Sequence, residues 1–186
     1  MAITPDTKDW TWVLTHPCPE CGFDAGLIRF DDIPRIVRGN AALWSPVLER
    51  ADVRARPNDH TWSALEYAAH VRDVYLIFTV RLRLMLAEDN PLFSNWDQDA
   101  TAAAERYNEQ DPTAVNRELT EAATALADQY STVPMESKER VGRRSDGSTF
   151  TVASLGRYLV HDIVHHLHDV GNPQGLGVST GATPQS

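Results

Sequence analysis

WSALEYAAHVRDVYLIFTVRLRLMLAEDNP, residues 62–91, decides the fold. Ser63 followed at the third position by Glu66 reads as a capping box, the serine accepting from the Glu66 amide and the glutamate reaching back. Beyond it Leu65, Ala69, Leu76 and Val80 recur at helical intervals and predict one apolar face, until Asn90-Pro91 ends the run after about Ala87. The segment is a long helix, and it carries one histidine, His70, two turns after its cap.

Outward from it the pattern stays helical. Asp32 to about Glu49 places Ile33, Ile36, Val37, Leu43, Trp44, Val47 and Leu48 at mostly helical spacing, weakened at Gly39-Asn40. Asp97 to Asn108 is a short alanine-rich helix. Asp111-Pro112 supplies an N-cap and a proline at the first helical position, ahead of Val115, Leu119, Ala122, Ala123, Leu126 and Tyr130, and this helix ends before Pro134. Asp146-Gly147 within RVGRRSDGSTFTV is a pair favoured in two-residue hairpins. The last helix runs from about Val152 to Val170 and stops at Gly171-Asn172-Pro173. The expected fold is therefore all-α: a four-helix bundle over residues 32–171, a Cys-containing extension over 1–31, a small hairpin before the last helix, and a disordered tail over 172–186.

That last helix holds HDIVHHLHDV, residues 161–170, with four histidines in ten positions. At about 100° per residue His161, His165 and His168 share one arc while His166 points elsewhere. The i, i+4 pair His161 and His165 can grip one divalent ion, and His70 from the second long helix would complete three nitrogen donors with a position left open for a reactant. A solvated polar face is the competing reading of the same spacing. Glu66 and Asp73 flank His70 on its helix and are candidates to hydrogen-bond its second nitrogen.

Trp62 to Val74 together with HDIVHH resembles the DinB-like superfamily, in particular its branch of mycothiol-dependent transferases and isomerases. The resemblance implies a DinB-like four-helix bundle, with His70, His161 and His165 as the metal set. In the isomerases of that branch the set is similar to His, Glu and His, and His161 stands where that glutamate would be, which favours thiol transfer over isomerisation. The implied activity is metal-dependent conjugation of a low-molecular-weight thiol, such as mycothiol, to a small-molecule electrophile. Metal-dependent hydrolysis and non-catalytic binding of a metal or small ligand are the alternatives. Zinc suits three imidazoles, and nickel or another first-row ion fits the same donors. His168 is a candidate acid, base or orienting group, and Arg143, Arg144, Arg157 and Asp97 are candidate contacts for the thiol by residue type.

HPCPECGF, residues 16–23, brings Cys18 and Cys21 into the spacing of a zinc knuckle. A second zinc site there would need two more ligands, with His16 and His60 as candidates; a pair of reduced thiols or a redox pair are the other readings. The formal net charge of −9, without a basic cluster, argues against a nucleic-acid partner. The start MAITPDTKDW lacks the features of a secretory signal, and no apolar run is long enough to span a bilayer, so a cytoplasmic location is expected. A leftover apolar helix face would permit a homodimer.

Overall fold

The computed structural model describes residues 9–171. The expected disordered tail over 172–186 lies outside the described residues. Six α-helices follow one another along the chain: α1 (Ile33–Ala42), α2 (Trp44–Leu48), α3 (Ala64–Ala87), α4 (Gln98–Ala104), α5 (Pro112–Ser131) and α6 (Val152–Asp169). The first predicted helix is thus broken in two at Leu43, and the others stand close to where the sequence puts them.

The bundle is built from α1 with α2, α3, α5 and α6, and its main contacts run α1 to α5, α5 to α3, α3 to α6 and α6 back to α1. The consecutive helices α5 and α6 are not principal neighbours, and the connection between them carries a small hairpin. The core is continuous, with Trp44, Tyr75, Leu82, Leu119, Leu126 and Leu159 among its fully enclosed side chains.

Four of the six helices, α3 to α6, start at a side-chain cap. Asp97 accepts from the Ala100 amide, Asp111 from the Ala114 amide and Thr151 from the Ser154 amide. The α3 box is formed in full: the Glu66 amide donates to Ser63 Oγ, and the Ser63 amide donates to Glu66 Oε2 at 2.8 Å. Glu66 is also held by the Arg56 guanidinium at both oxygens. Burial works against its ionisation, but Arg56 and Ser63 outweigh it and hold the carboxyl below its ordinary value. Its stabilising contribution is therefore complete above the ordinary carboxylate range and is lost as pH falls through the lower folded-state value. Glu66→Ala is expected to cost about 2–3 kcal/mol at pH 7, because it removes a cap and strips Arg56 of its partner. Urea denaturation of both proteins at pH 7 and at pH 3 measures it, and the gap narrows at the acid end.

The apolar face of α3 differs from the expected one. Leu65 and Ala69 are buried, but Leu76 and Val80 are 50% and 56% exposed, and the buried stripe continues instead through Val74, Tyr75, Phe78, Leu82 and Met85. Over 24 residues a helix contacts different neighbours along its length, so the buried stripe rotates.

The hairpin is present as β2 (Val141–Arg144) and β3 (Thr149–Thr151), paired antiparallel. Its turn is a three-residue one: the Arg144 amide donates to Ser148 O and the Gly147 amide to Arg144 O, with Gly147 at φ +98°. The sequence gives no sign of β1 (Leu92–Phe93), which lies parallel to β2 and makes a three-stranded sheet. Alternation along β2 turns Gly142 and Arg144 inward and Val141 and Arg143 outward. No helix among the described residues is long and apolar enough to cross a membrane.

Candidate metal centres

The three imidazoles expected to share one ion are parted by the structure. His161 and His165 turn toward the N-terminal segment, where their ring nitrogens gather with the Cys18 and Cys21 sulfurs. His70 turns toward the other side of α6 and gathers with Asp162 and His166. In each group one ligand atom per residue lies within 4.8 Å of all the others. The last helix therefore carries two interleaved i, i+4 pairs, 161 with 165 and 162 with 166, about 100° apart.

The His70 group has the donors of a two-histidine, one-carboxylate site. His166 Nε2 stands 3.4 Å from Asp162 Oδ1, and His70 Nε2 stands 3.8 Å from the same oxygen. The second distance is too long for a hydrogen bond. Two ligand atoms bound to one ion at about 2.0–2.1 Å with tetrahedral angles lie about 3.4 Å apart, so the spacing suits a shared ion with little adjustment. Both nitrogens of His70 and Asp162 Oδ1 are buried and accept or donate no hydrogen bond, a costly arrangement for polar atoms unless a further group completes it. The donor chemistry of His70 Nε2, His166 Nε2 and Asp162 Oδ1 fits a divalent cation of the first row.

Surrounding groups fix the protonation that ligation needs. Burial pushes the His70 imidazole below its ordinary value and keeps it neutral. For Asp162 burial opposes ionisation, but His70 and His166 outweigh it and draw the carboxyl down to about 2. His166 Nδ1–H donates to Asp169 Oδ2 at 2.9 Å, which sets its tautomer and leaves Nε2 toward Asp162. The His70 ring is stacked on Trp96, with centroids 5.1 Å apart and planes within 5°, and Trp62 packs on it at 5.3 Å. Asp169→Asn is expected to weaken metal binding at this centre about 10–100-fold, the usual effect of removing the hydrogen-bond partner of a ligating histidine. Competition with a chromophoric chelator reads that change.

Asp162 and His166 of this centre line a cleft of about 670 Å³, and His161 and His165 of the other group reach the same cleft. Its wall also includes Trp62, Trp96, Arg81, Arg144 and Tyr158. Arg144 reaches inward from β2 and pairs with Asp146 at 2.7 Å. Arg81 is buried, and burial, with Arg144 nearby, lowers it to about 10.

The remaining candidates are distributed as follows. Asp97 lines the cleft rim while capping α4. Arg143 lies on the outer face of β2, and Arg157 donates to Ile28 O at 3.0 Å, holding the N-terminal segment rather than facing the cleft. His168 is exposed on α6, 3.9 Å from Asp169, and is not a member of either group. Neither Glu66 nor Asp73 bonds His70: Glu66 is taken by Arg56 and Ser63, and Asp73 accepts from Tyr107 and Arg72. His16 bonds Thr15, and His60 lines the cleft, so neither completes the cysteine pair. Asp162, His166 and Asp169 were missed. The i, i+4 spacing of Asp162 and His166 is the signal that carries the first two.

No curated protein matches the chain. Among solved structures it is similar to one described as "YfiT from Bacillus subtilis is a probable metal-dependent hydrolase with an unusual four-helix bundle topology". The two share 18% identity at a TM-score of 0.66, over 78% of this chain and 84% of that one, which shows a common fold. The DinB superfamily model matches residues 41–170, a span that takes in α3, α5, α6 and every member of the His70 group. That match covers more than half of the sequence, and the chain belongs to the DinB superfamily.

Proposed function

We propose that the chain is a metal-dependent enzyme whose centre is His70, Asp162 and His166, and that it joins a low-molecular-weight thiol, mycothiol being the candidate, to an electrophilic small molecule. The observation that carries the metal-dependent reading is the set of buried, unbonded atoms on His70 and Asp162, beside a cleft that Asp162 and His166 line. Held by His70, Asp162 and His166, a divalent ion would supply Lewis acidity and lower the pKa of a thiol or water. The chain's residues do the rest. Asp169 orients His166, Trp62 and Trp96 keep bulk water from His70, and Asp162 stays ionised at neutral pH.

Two features support a polar thiol as the nucleophile. The cleft is larger than water and a small ester need, and its walls carry carboxylates and guanidiniums suited to a hydroxyl-rich cosubstrate. Arg81 and Arg144 would face its anionic or carbonyl groups. Reaction would form a carbon–sulfur bond as the thiol S–H bond and the electrophile's carbon–leaving-group bond break, the electron pair going with the leaving group and the thiol proton to that group or to solvent.

Hydrolysis is the second reading. Two histidines and one carboxylate form a donor set also used to activate water, and the similar solved structure is described as a probable metal-dependent hydrolase. Metal-loaded protein incubated with a reactive electrophile, with and without added thiol, separates the two. Thiol-dependent loss of the electrophile, abolished by chelation, is expected. Metal-dependent turnover of an activated ester at the same rate without thiol would replace that reading with hydrolysis.

A further inference from the structure

Cys18 and Cys21 belong to a group distinct from the proposed catalytic centre. The turn between them is closed by the Cys18 amide donating to Phe23 O at 2.9 Å and the Gly22 amide donating to Cys18 O at 2.8 Å. Gly22 sits at φ +73°, where a side chain would be strained. Both sulfurs are thereby presented on one side, facing His161 and His165, which stand one turn apart on α6. Cys18 Sγ is 3.7 Å from His165 Nδ1 and Cys21 Sγ is 3.9 Å from His161 Nε2. A zinc ion with Zn–S bonds of about 2.3 Å and Zn–N bonds of about 2.0–2.1 Å in a tetrahedron separates sulfur from nitrogen by about 3.6 Å.

From this geometry we infer that Cys18, Cys21, His161 and His165 form a closed zinc site that fastens the N-terminal segment to α6. Two thiolates and two imidazoles are a soft, four-donor set that fills a tetrahedron and leaves no position for a reactant, so the site is structural. Ion binding displaces two thiol protons to solvent and gives a neutral centre, Zn²⁺ balanced by two thiolates.

What the ion would hold is one wall of the cleft. Trp10 packs on both imidazoles, with centroids 5.7 Å from His161 and 5.1 Å from His165, and Trp10 and Glu20 both line the cleft. Asp169 spans the two centres: Oδ2 accepts from His166, while Oδ1 lies 3.6 Å from His165 Nε2. Adjacent residues of one helix turn would thus serve structure on one side and reactant on the other.

The test is Co²⁺ substitution of the full chain, read by absorption, with thiol reactivity and metal content measured in parallel. Wild type should show sulfur-to-cobalt charge transfer and two unreactive thiols that become reactive on chelation. Cys18→Ser should lose one metal equivalent and that absorption, and Asp162→Asn should keep it. A wild type that retains the absorption but binds only one equivalent would leave this site standing and remove the proposed catalytic one. No charge transfer in wild type with both thiols reactive, or a Cys18–Cys21 disulfide in metal-treated protein, would overturn the inference.

Discussion

Asp162→Ala should lose one equivalent of metal and at least about 100-fold in metal-dependent turnover, more than removing a ligand's hydrogen-bond partner costs. The carboxylate is the oxygen that faces both His70 Nε2 and His166 Nε2. Its removal takes away the negative charge that lets two neutral imidazoles hold a dication in a buried place. The same substitution should leave the thiolate-containing site filled. His161→Ala supplies the contrast: it should empty the cysteine site and leave the His70 group with its ion. Metal analysis of the two variants side by side gives opposite patterns, whereas one ion shared by His70, His161 and His165 would make His161→Ala behave as a loss of the catalytic centre and Asp162→Ala as a minor change.

The largest effect on stability is expected from Asn40. Its amide nitrogen donates to Ile163 O at 2.7 Å, and its carbonyl oxygen accepts from Tyr75 Oη at 2.9 Å and Trp44 Nε1 at 3.2 Å. One fully buried side chain thus ties α1, α2, α3 and α6 together in the middle of the core. Asn40→Ala leaves two buried donors unpaired and opens a cavity, a loss of about 3–5 kcal/mol against a total of about 5–15 kcal/mol. Tyr75→Phe removes one of these donors and keeps the rest satisfied, so it should cost about 1 kcal/mol. Urea denaturation at fixed metal concentration gives both numbers. Equal effects would mean that the network does not act through Asn40.

Much of the fold was legible because its signals are local. Ser63 with Glu66, Asp111 with Pro112, and Asp97 each mark a helix start that the structure retains. The face of α3 was less so: Leu76 and Val80 continue the helical spacing but lie where no other helix covers them, and only the packing partners decide that. Strand β1 depends on pairing with residues some fifty positions away and has no local signature in two residues.

For the site, spacing named the right helices and the right kind of pair. Two such pairs overlap on α6, and their sequence is symmetrical enough that the histidine-only pair is the more conspicuous. What assigns 162 with 166 to His70 is the rotation of α6 against α3, and what assigns 161 with 165 to the cysteines is the folding of the N-terminal segment over the opposite side. Of the two candidates Arg143 and Arg144, strand alternation selects Arg144 once β2 is known, since only the even positions of that strand face inward.

X-ray diffraction from metal-loaded crystals, collected on either side of the metal absorption edge, locates the ions directly. The account predicts an anomalous peak bounded by His70, Asp162 and His166 at ligand distances of about 2.0–2.2 Å, with Cys18, Cys21, His161 and His165 surrounding a separate peak. A single peak lying among His70, His161 and His165, or none beside Asp162, would contradict it.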